Sequence, residues 1–395
     1  MVLLPLLALH AAVTTLVIHV NAIRNARALR RLPKRAETSA ALPSLCVFVP
    51  ARNEERAIRQ CLESLLAQDY PGGLRIIAID DQSEDRTGAI ILALAAKHPG
   101  RLQALRTPPL PEGWMGKNHA LWHGVAHAPA EAEWYLFTDA DIIFAPGVLR
   151  RAAALAQALR ADHLFLTPLV RCRGFWEQVV LPLGYHIMMI SVNPRRIEDP
   201  SRREYFGVGA FNLIRRSLYE REGGHAAIRG EVIDDVALGK LTKEAGARLR
   251  VASAGADRSL RMYDSLGSIV RGFRKNIQAG IGGGLIRSAV VVLAQPFLAL
   301  APLAVAAANL IAEGGSPLLA ALAIAWQVLG GLLILRNTAR AAETNPWVTA
   351  LCYPLGYLVI MWIAASSAYW SLVRREIPWR GRVVKRPEQT VRVGL

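Results

Sequence analysis

Acidic residues are the scarce charged class in this sequence. Against 47 lysines and arginines stand 31 aspartates and glutamates, which leaves a formal net charge of +16 over 395 residues. A chain so basic has no electrostatic need to cluster acids, so any acidic clusters call for an explanation. Cysteine is scarce too. Cys46, Cys61, Cys172 and Cys352 form no Cys-x-x-Cys pair and no disulfide spacing, which is consistent with a reducing cytosol around the central part of the chain. Aromatic residues make up 7% and are not interleaved with the basic ones on one face. That disfavours a nucleic-acid surface despite the positive charge. The apolar start lacks a basic leader and a small-x-small site before Asn21, so it reads as a retained anchor, not as a cleaved signal peptide.

What is abundant is apolar sequence. Hydrophobic residues make up 52% of the chain and its mean hydropathy is +0.25, yet a fifth of the residues are charged. The two fit because grease and charge are segregated. Residues 2–20, 288–312, 317–335 and 348–371 are nearly all apolar, and each has about the 20 residues a spanning helix needs. Arg24, Arg27, Arg30, Arg31, Lys34 and Arg35 follow the first stretch. Arg374, Arg375, Arg380, Arg382, Lys385 and Arg386 follow the last. Such flanks mark the cytoplasmic ends of membrane helices and favour anionic lipid heads. The expected organisation is a membrane anchor over 1–22, a basic linker over 23–43, a globular domain over 44–275, a membrane region over 276–373 and a basic tail over 374–395.

Within the globular part, apolar runs alternate with helical patterns. Strands are expected at 45–50, 74–79, 103–106 and 134–138. Helices are expected from about Ala51 to Gln68 with Asn53 as N-cap, from Ser83 onward, from Lys117 to about Ala128, and from Glu231 to about Ala245. This alternation means an α/β fold with a mostly parallel sheet, whose functional loops gather at the strands' C-terminal ends. Three acidic sites stand at element edges: Asp80/Asp81, Asp139/Asp141 and Asp234/Asp235. In the central one, side chains two apart on a strand point the same way. Two hard carboxylates there suit Mg²⁺ or Mn²⁺ shared with substrate phosphates; the competing reading is a pair of acids capping the next helix. One account covers all three sites. The first bonds a nucleotide's base or ribose, the second holds a metal on its diphosphate, and the third takes a proton from an attacking hydroxyl. Lys117, between the first two, offsets phosphate charge.

The runs Pro50-Ala51-Arg52-Asn53-Glu54-Glu55, Asp80-Asp81-Gln82-Ser83-Glu84-Asp85-Arg86-Thr87, Gly116-Lys117-Asn118-His119-Ala120-Leu121, Asp139-Ala140-Asp141 and Ile233-Asp234-Asp235-Val236-Ala237-Leu238 resemble, in order, the motifs of family 2 glycosyltransferases over roughly residues 44–275. The resemblance implies the GT-A nucleotide-diphospho-sugar transferase fold, inversion at the anomeric carbon and a divalent metal, Mg²⁺ or Mn²⁺. It implies nucleotide-sugar contacts from Pro50, Arg52, Glu54, Asp80, Asp81, Lys117 and Asp139. It makes Asp139 and Asp141 the metal motif, with Asp141 the direct ligand, and Asp235 the base. The family's motif has Glu where this chain has Asp234, so either acid of the pair is open to that role.

Within the family, Pro111 to Lys117, Gly224 to Arg229 and Arg261-Met262-Tyr263 are similar to bacterial membrane enzymes acting on hydrophobic acceptors. The hopanoid-associated and carotenoid (diaponeurosporenoate-type) glycosyltransferases and the ceramide glucosyltransferases are of this kind. The resemblance implies a UDP-sugar donor and a hydroxyl or carboxyl acceptor on a lipid, with polyprenyl-phosphate or sphingolipid acceptors as the alternative. It implies a multi-pass protein of the bacterial inner membrane with its catalytic domain in the cytosol. The Gln-x-x-Arg-Trp signature of processive synthases is missing; Arg271-Gly272-Phe273-Arg274-Lys275 stands near its place, against polymerisation. Acceptor or diphosphate contacts are expected from Trp114, Arg271, Arg274, Trp379 and Arg382. A wholly different class is an inactive membrane scaffold that senses nucleotide sugars.

Three further features carry two readings each. His119, His123 and His127 share a helix face, which suits a metal, but they lack the glutamate of the zinc motif and read better as polar or partly buried histidines. The run 175–192 is a core helix or a membrane-facing segment, with Pro182 and Gly184 expected to break it. Three C-terminal crossings put the basic tail outside, whereas the positive-inside rule puts it inside; Pro296 and Pro302 make 288–312 the candidate for a re-entrant segment.

Overall fold

The computed structural model describes residues 3–35, 41–260, 263, 265–281, 300–339, 341–370, 376–379 and 382–385. They divide into two compact units. One is an α/β unit of residues 29–169 and 194–262 with the described part of 378–395. The other is helical and takes in the chain up to Ala28, residues 170–193 and those of 263–377.

The α/β unit is organised around strands β1 (Arg30–Arg31), β2 (Leu45–Ala51), β3 (Leu74–Asp80), β4 (Leu102–Arg106), β5 (Trp134–Phe137), β6 (Ile143–Phe144), β7 (His163–Arg171), β8 (Asn212–Arg215) and β9 (Leu249–Leu260). Their order is β1-β9-β7-β8-β5-β2-β3-β4, with β6 on β9. Strands β4, β3, β2 and β5 run parallel, as the alternating pattern predicts. Val47, Phe48, Val49, Ile76, Ile77 and Leu136 are fully buried, as strands covered on both faces must be. β8 was not foreseen and lies antiparallel between β5 and β7.

The chain leaves β2 towards β3 and β4, then crosses back to place β5 on β2's other side. That reversal is the position where open α/β sheets bind ligands. Pairing of β2 with β5 stops at Phe48↔Phe137, while its pairing with β3 continues to Ala51↔Asp80. The edge is therefore open beside Pro50, whose missing N–H is not needed there.

The helix expected from Ala51 begins later, as α2 (Ile58–Leu66), with Ile58, Cys61, Leu62 and Leu65 on its buried face. Asn53 does not cap it. Its backbone is left-handed at φ 53, and its carboxamide Oδ1 accepts the Glu84 N–H at 2.9 Å. An asparagine tolerates this conformation, and the bond crosses to a second loop instead of starting a helix. Next come α3 (Thr87–Lys97), α4 (Gly116–Val125), α5 (Val148–Ala158), α6 (Phe175–Ser191), α7 (Pro194–Glu198), α8 (Arg216–Arg221), α9 (Gly224–Ala227) and α10 (Asp234–Glu244).

The helical unit holds α1 (Leu3–Ala28), α6, α11 (Leu266–Ile281), α12 (Leu300–Ile311), α13 (Pro317–Thr338) and α14 (Pro346–Ala368). Among the described residues α13 and α14 are long and apolar enough to cross a membrane by length and composition. α1 runs past the boundary expected at residue 22. Residues 282–299, which include the first part, 288–299, of the stretch expected at 288–312, lie outside the described residues.

The break expected in the run 175–192 does not occur: α6 is continuous through Pro182. Proline removes the N–H that would bond the Gln178 carbonyl. Thr349 supplies a donor instead, its hydroxyl 3.1 Å from that carbonyl. Pro354 frees the Ala350 carbonyl in the same way, and Gly331 packs against it so closely that a Cβ would lie 1.9 Å away. The unit also buries a hydrogen-bonded chain in which Asn337 Nδ2 lies 2.8 Å from His186, which lies 2.8 Å from His19.

Candidate active site

The ends of β3, β2 and β5 stand side by side. The Asp81 N–H bonds the Ala51 carbonyl at 2.8 Å, and the Thr138 N–H bonds that of Phe48 at 3.2 Å. Asp81 and Asp139 therefore flank the open edge about two strand spacings, ~10 Å, apart.

The two acids after β3 are both 5% exposed and do different work. Asp80 accepts the Ser83 N–H at 2.9 Å and turns the loop. Asp81 accepts the Thr107 hydroxyl at 3.2 Å. Arg52 donates to the carbonyls of Asp81 and Gln82 at 2.7 and 3.2 Å. The Glu54 N–H donates to the Thr87 hydroxyl at 2.7 Å, and the Glu55 N–H to Asp85 at 3.1 Å. The Arg-Asn-Glu-Glu run thus laces its loop to the one after β3. Pro50 and Glu54 are half-buried beside it.

On the other side of the edge the remaining acids meet. Lys117, at the start of α4, puts Nζ 2.7 Å from Asp139 Oδ1 and 3.1 Å from Asp234 Oδ2. Asp235 turns towards Gly209, whose N–H donates to its Oδ2, while the Val236 N–H donates to its Oδ1 at 2.9 Å. The antiparallel β8 explains this convergence. Phe137 pairs with Asn212, so the loop entering β8 lies against the end of β5. Only glycine fits there. A Cβ on Gly209 would stand 2.7 Å from Asp139 Oδ2, and one on Gly207 1.9 Å from the Asp235 carbonyl oxygen.

Sequence reading missed Asn118. This side chain is 1% exposed and donates to the carbonyls of Ile228, Arg229 and Glu231 at 2.6, 3.3 and 3.1 Å. It ties the start of α4 to the turn before α10, and so Lys117 to Asp234. An asparagine beside the lysine in a first helical turn was the available signal. Asn118→Ala leaves those carbonyls without their donor; an expected loss of about 1–3 kcal/mol lowers the thermal midpoint, as a melting curve measures.

Charge at the cluster is unbalanced, with three carboxylates around one ammonium. Burial alone would lower the Lys117 pKa, but Asp139, Asp234 and Asp235 outweigh it and raise it, so the lysine stays charged. Burial, and then the Asp234 carboxylate, pushes Asp235 up to about 6, against the pull of Lys117. A carboxyl poised there is a competent base at neutral pH. His225 is fully buried and bonds the Tyr219 hydroxyl at 2.7 Å. Burial lowers it to about 4, so it adds no charge. Cys61 lies under the Asp139 loop, its sulfur 3.7 Å from the Asp139 carbonyl oxygen, and burial raises its thiol pKa.

Asp139 and Asp141 are half-buried with Ala140 buried between them. They offer hard oxygen donors only, and among the searched residues no group of three or more His, Cys, Asp or Glu could hold a metal. Two carboxylates, with the other positions left to phosphate and water, would fit Mg²⁺ or Mn²⁺. His119 stacks on His123 at 6.4 Å, His127, beyond the end of α4, meets His123 edge-on at 5.0 Å, and none of the three joins such a group.

Trp114 packs 5.1 Å from Trp122 and 5.6 Å from His119. Arg271 and Arg274 lie on α11 of the helical unit, Arg274 at 5.9 Å from the Trp370 ring. Trp379 and Arg382 lie on two paired strands, β10 (Glu376–Trp379) and β11 (Arg382–Lys385). Arg380 and Gly381, between them, lie outside the described residues.

Residues 46–223 match the family described as Glycosyl transferase family 2. The chain carries a glycosyl transferase family 2 domain. A 4,4'-diaponeurosporenoate glycosyltransferase of Staphylococcus aureus (strain MRSA252) is 26% identical over 244 residues, 61% of this chain and 62% of that protein. The same enzyme of strain USA300 is 25% identical over 251 residues, again 61% and 62%. The match therefore spans less than two thirds of these relatives' length. Among solved structures, mannosyltransferase PcManGT from Pyrobaculum calidifontis, in complex with GDP-Man and Mn²⁺, superposes with a TM-score of 0.55 at 20% identity, over 92% of this chain and 99% of that one. The fold of the family 2 domain is GT-A, as its motifs predict.

Proposed function

We propose that this protein transfers a sugar from a nucleotide sugar, a UDP-sugar, to a hydroxyl or carboxyl of a membrane-embedded lipid of the hopanoid, carotenoid or glycolipid type, with inversion at the anomeric carbon. The observation that carries the reading is the cluster of Lys117, Asp139, Asp234 and Asp235 at the open end of β5, with Asp81 across the edge. The diaponeurosporenoate glycosyltransferases support the lipid acceptor. α13 and α14 support a multi-pass place in a bacterial inner membrane, the family 2 domain facing the cytosol.

In this reading Asp81 bonds the nucleoside, and Arg52 and Glu54 hold the loops that shape its site. Lys117 faces the diphosphate. Asp139 and Asp141 hold Mg²⁺ or Mn²⁺, which supplies charge stabilisation for the departing diphosphate. Asp235 accepts the proton of the acceptor hydroxyl as its oxygen attacks. Asp234, 8% exposed and paired with Lys117, is the positioning partner, a pairing that supports Asp235 as the base.

Titration of the purified protein with UDP and GDP, with and without Mn²⁺, tests the donor half. Wild type binds UDP more tightly with metal, and Asp141→Ala loses that gain. Equal metal dependence in the variant would remove Asp141 from the metal site.

A further inference from the structure

Strand β7 carries a hydroxyl that the roles given above leave unused. Thr167 is 4% exposed, and its Oγ1 is buried with no hydrogen-bond partner among the described residues. Its neighbours fix the direction in which it points. Every second residue of a strand shares a face, so His163, Phe165 and Thr167 point the same way. His163 Nδ1 lies 3.0 Å from the Thr242 hydroxyl of α10. A Cβ on Gly239 of α10 would stand 3.3 Å from Phe165 Cζ. This face of β7 therefore looks onto α10.

The contacts climb α10 in order. Asp235, Gly239 and Thr242 are spaced four and three residues apart, which aligns them on one side of a helix. Two strand residues advance about 6.6 Å, and three or four helical residues about 4.5–6 Å. After His163 on Thr242 and Phe165 on Gly239, the next pair is Thr167 and Asp235. The sheet agrees. Phe165 pairs with Asn212, the Leu166 N–H bonds the Phe211 carbonyl at 3.4 Å, and one further place sets Thr167 opposite Ala210. Ala210 follows Gly209, whose N–H donates to Asp235 Oδ2.

A base has to change its hydrogen bonding as it works. As a carboxylate Asp235 only accepts; once it holds the acceptor's proton it must also donate. Both of its hydrogen bonds among the described residues come from backbone N–H groups, those of Gly209 and Val236, and an N–H cannot reverse. A hydroxyl can, since it donates one proton and accepts through two lone pairs. We propose that Thr167 is the positioning residue for Asp235: during transfer its hydroxyl turns onto the base, donating to the carboxylate and then accepting from the carboxylic acid. The proton comes from the acceptor hydroxyl, whose oxygen bonds the anomeric carbon as the nucleoside diphosphate leaves. The role rests on the proposed transfer with Asp235 as its base. In the resting fold the same hydroxyl is a cost, because a buried polar group without a partner destabilises.

Thr167→Val in the full chain removes the hydroxyl and keeps the shape. The variant is expected to melt about 2–4 °C higher, as the unpaired hydroxyl is gone. Its rate is read in membranes, with the labelled UDP- or GDP-sugar that wild type passes fastest into extracted lipid. That rate is expected to fall tenfold or more at saturating donor, with half-saturation by the donor unchanged. Thr167→Ser, which keeps the hydroxyl, restores most of the rate. A wild-type rate in the valine variant, a lower melting temperature there, or a serine variant as slow as valine would each overturn this role and leave the transfer standing. A wild-type chain that labels lipid from none of the donors would overturn the transfer and this role together.

Discussion

Asp235→Asn is expected to reduce transfer roughly 10²–10⁴-fold, the share a positioned base supplies, while nucleotide affinity is unchanged. The same variant is expected to melt at a higher temperature near neutral pH. Burial and Asp234 raise the Asp235 carboxyl to about 6, so the folded chain holds this proton more tightly than the unfolded one, whose aspartates titrate near ~3.9. Native stability therefore falls as pH rises from the unfolded value through the folded one, and above about 6 the ionised carboxylate imposes its full cost. Asparagine keeps an acceptor for the Gly209 N–H and carries no charge. The gain in melting temperature appears above pH ~4, levels off past about 6 and is absent in acid. Wild-type transfer, in turn, declines as pH drops through about 6. A variant that turned over normally, or melted lower at pH 7, would remove Asp235 from its role.

Lys117→Met has the second large effect. It strips the cation from Asp139 and Asp234, which it now meets at 2.7 and 3.1 Å. Charged hydrogen bonds of this kind contribute about 1.5–3 kcal/mol, and the 31% exposure of the lysine side chain places the loss towards the lower figure. Function suffers more, because a nucleotide diphosphate then approaches three carboxylates with no ammonium between. Lys117 also pulls the Asp235 pKa down, so its removal moves the acid limb of the residual pH–rate profile to higher pH. An unmoved limb with normal donor affinity would show that the lysine only braces the fold.

Much of this was legible before any coordinates. The buried parallel strands announce themselves as continuous apolar runs, and Asp80/Asp81 and Asp234/Asp235 sit at a strand end and a helix start as read, whereas Asp139 and Asp141 lie in the turn after β5 and not on the strand. The parts that were not legible share a cause: they depend on residues distant in the chain. The antiparallel β8 is four residues long, too short for a periodic signal, yet it is what carries Gly209 to Asp139 and Asp235. Asn118 looks like any polar helix residue until three carbonyls from residues 228, 229 and 231 arrive at its amide. Pro182 was expected to break a helix because its rescue by Thr349 comes from 167 positions further on. Asn53, a helix cap by pattern, serves instead as a stitch between two loops.

Incorporation of label from a panel of UDP- and GDP-sugars into extracted lipid, by membranes containing the protein, addresses the central claim most directly. The carboxylate–lysine cluster predicts that a UDP-sugar labels a lipid, that chelation of divalent metal stops it, and that Asp235→Asn membranes leave the lipid unlabelled. Lipid that stays unlabelled with every donor, or that labels equally in the Asp235→Asn membranes, would contradict it.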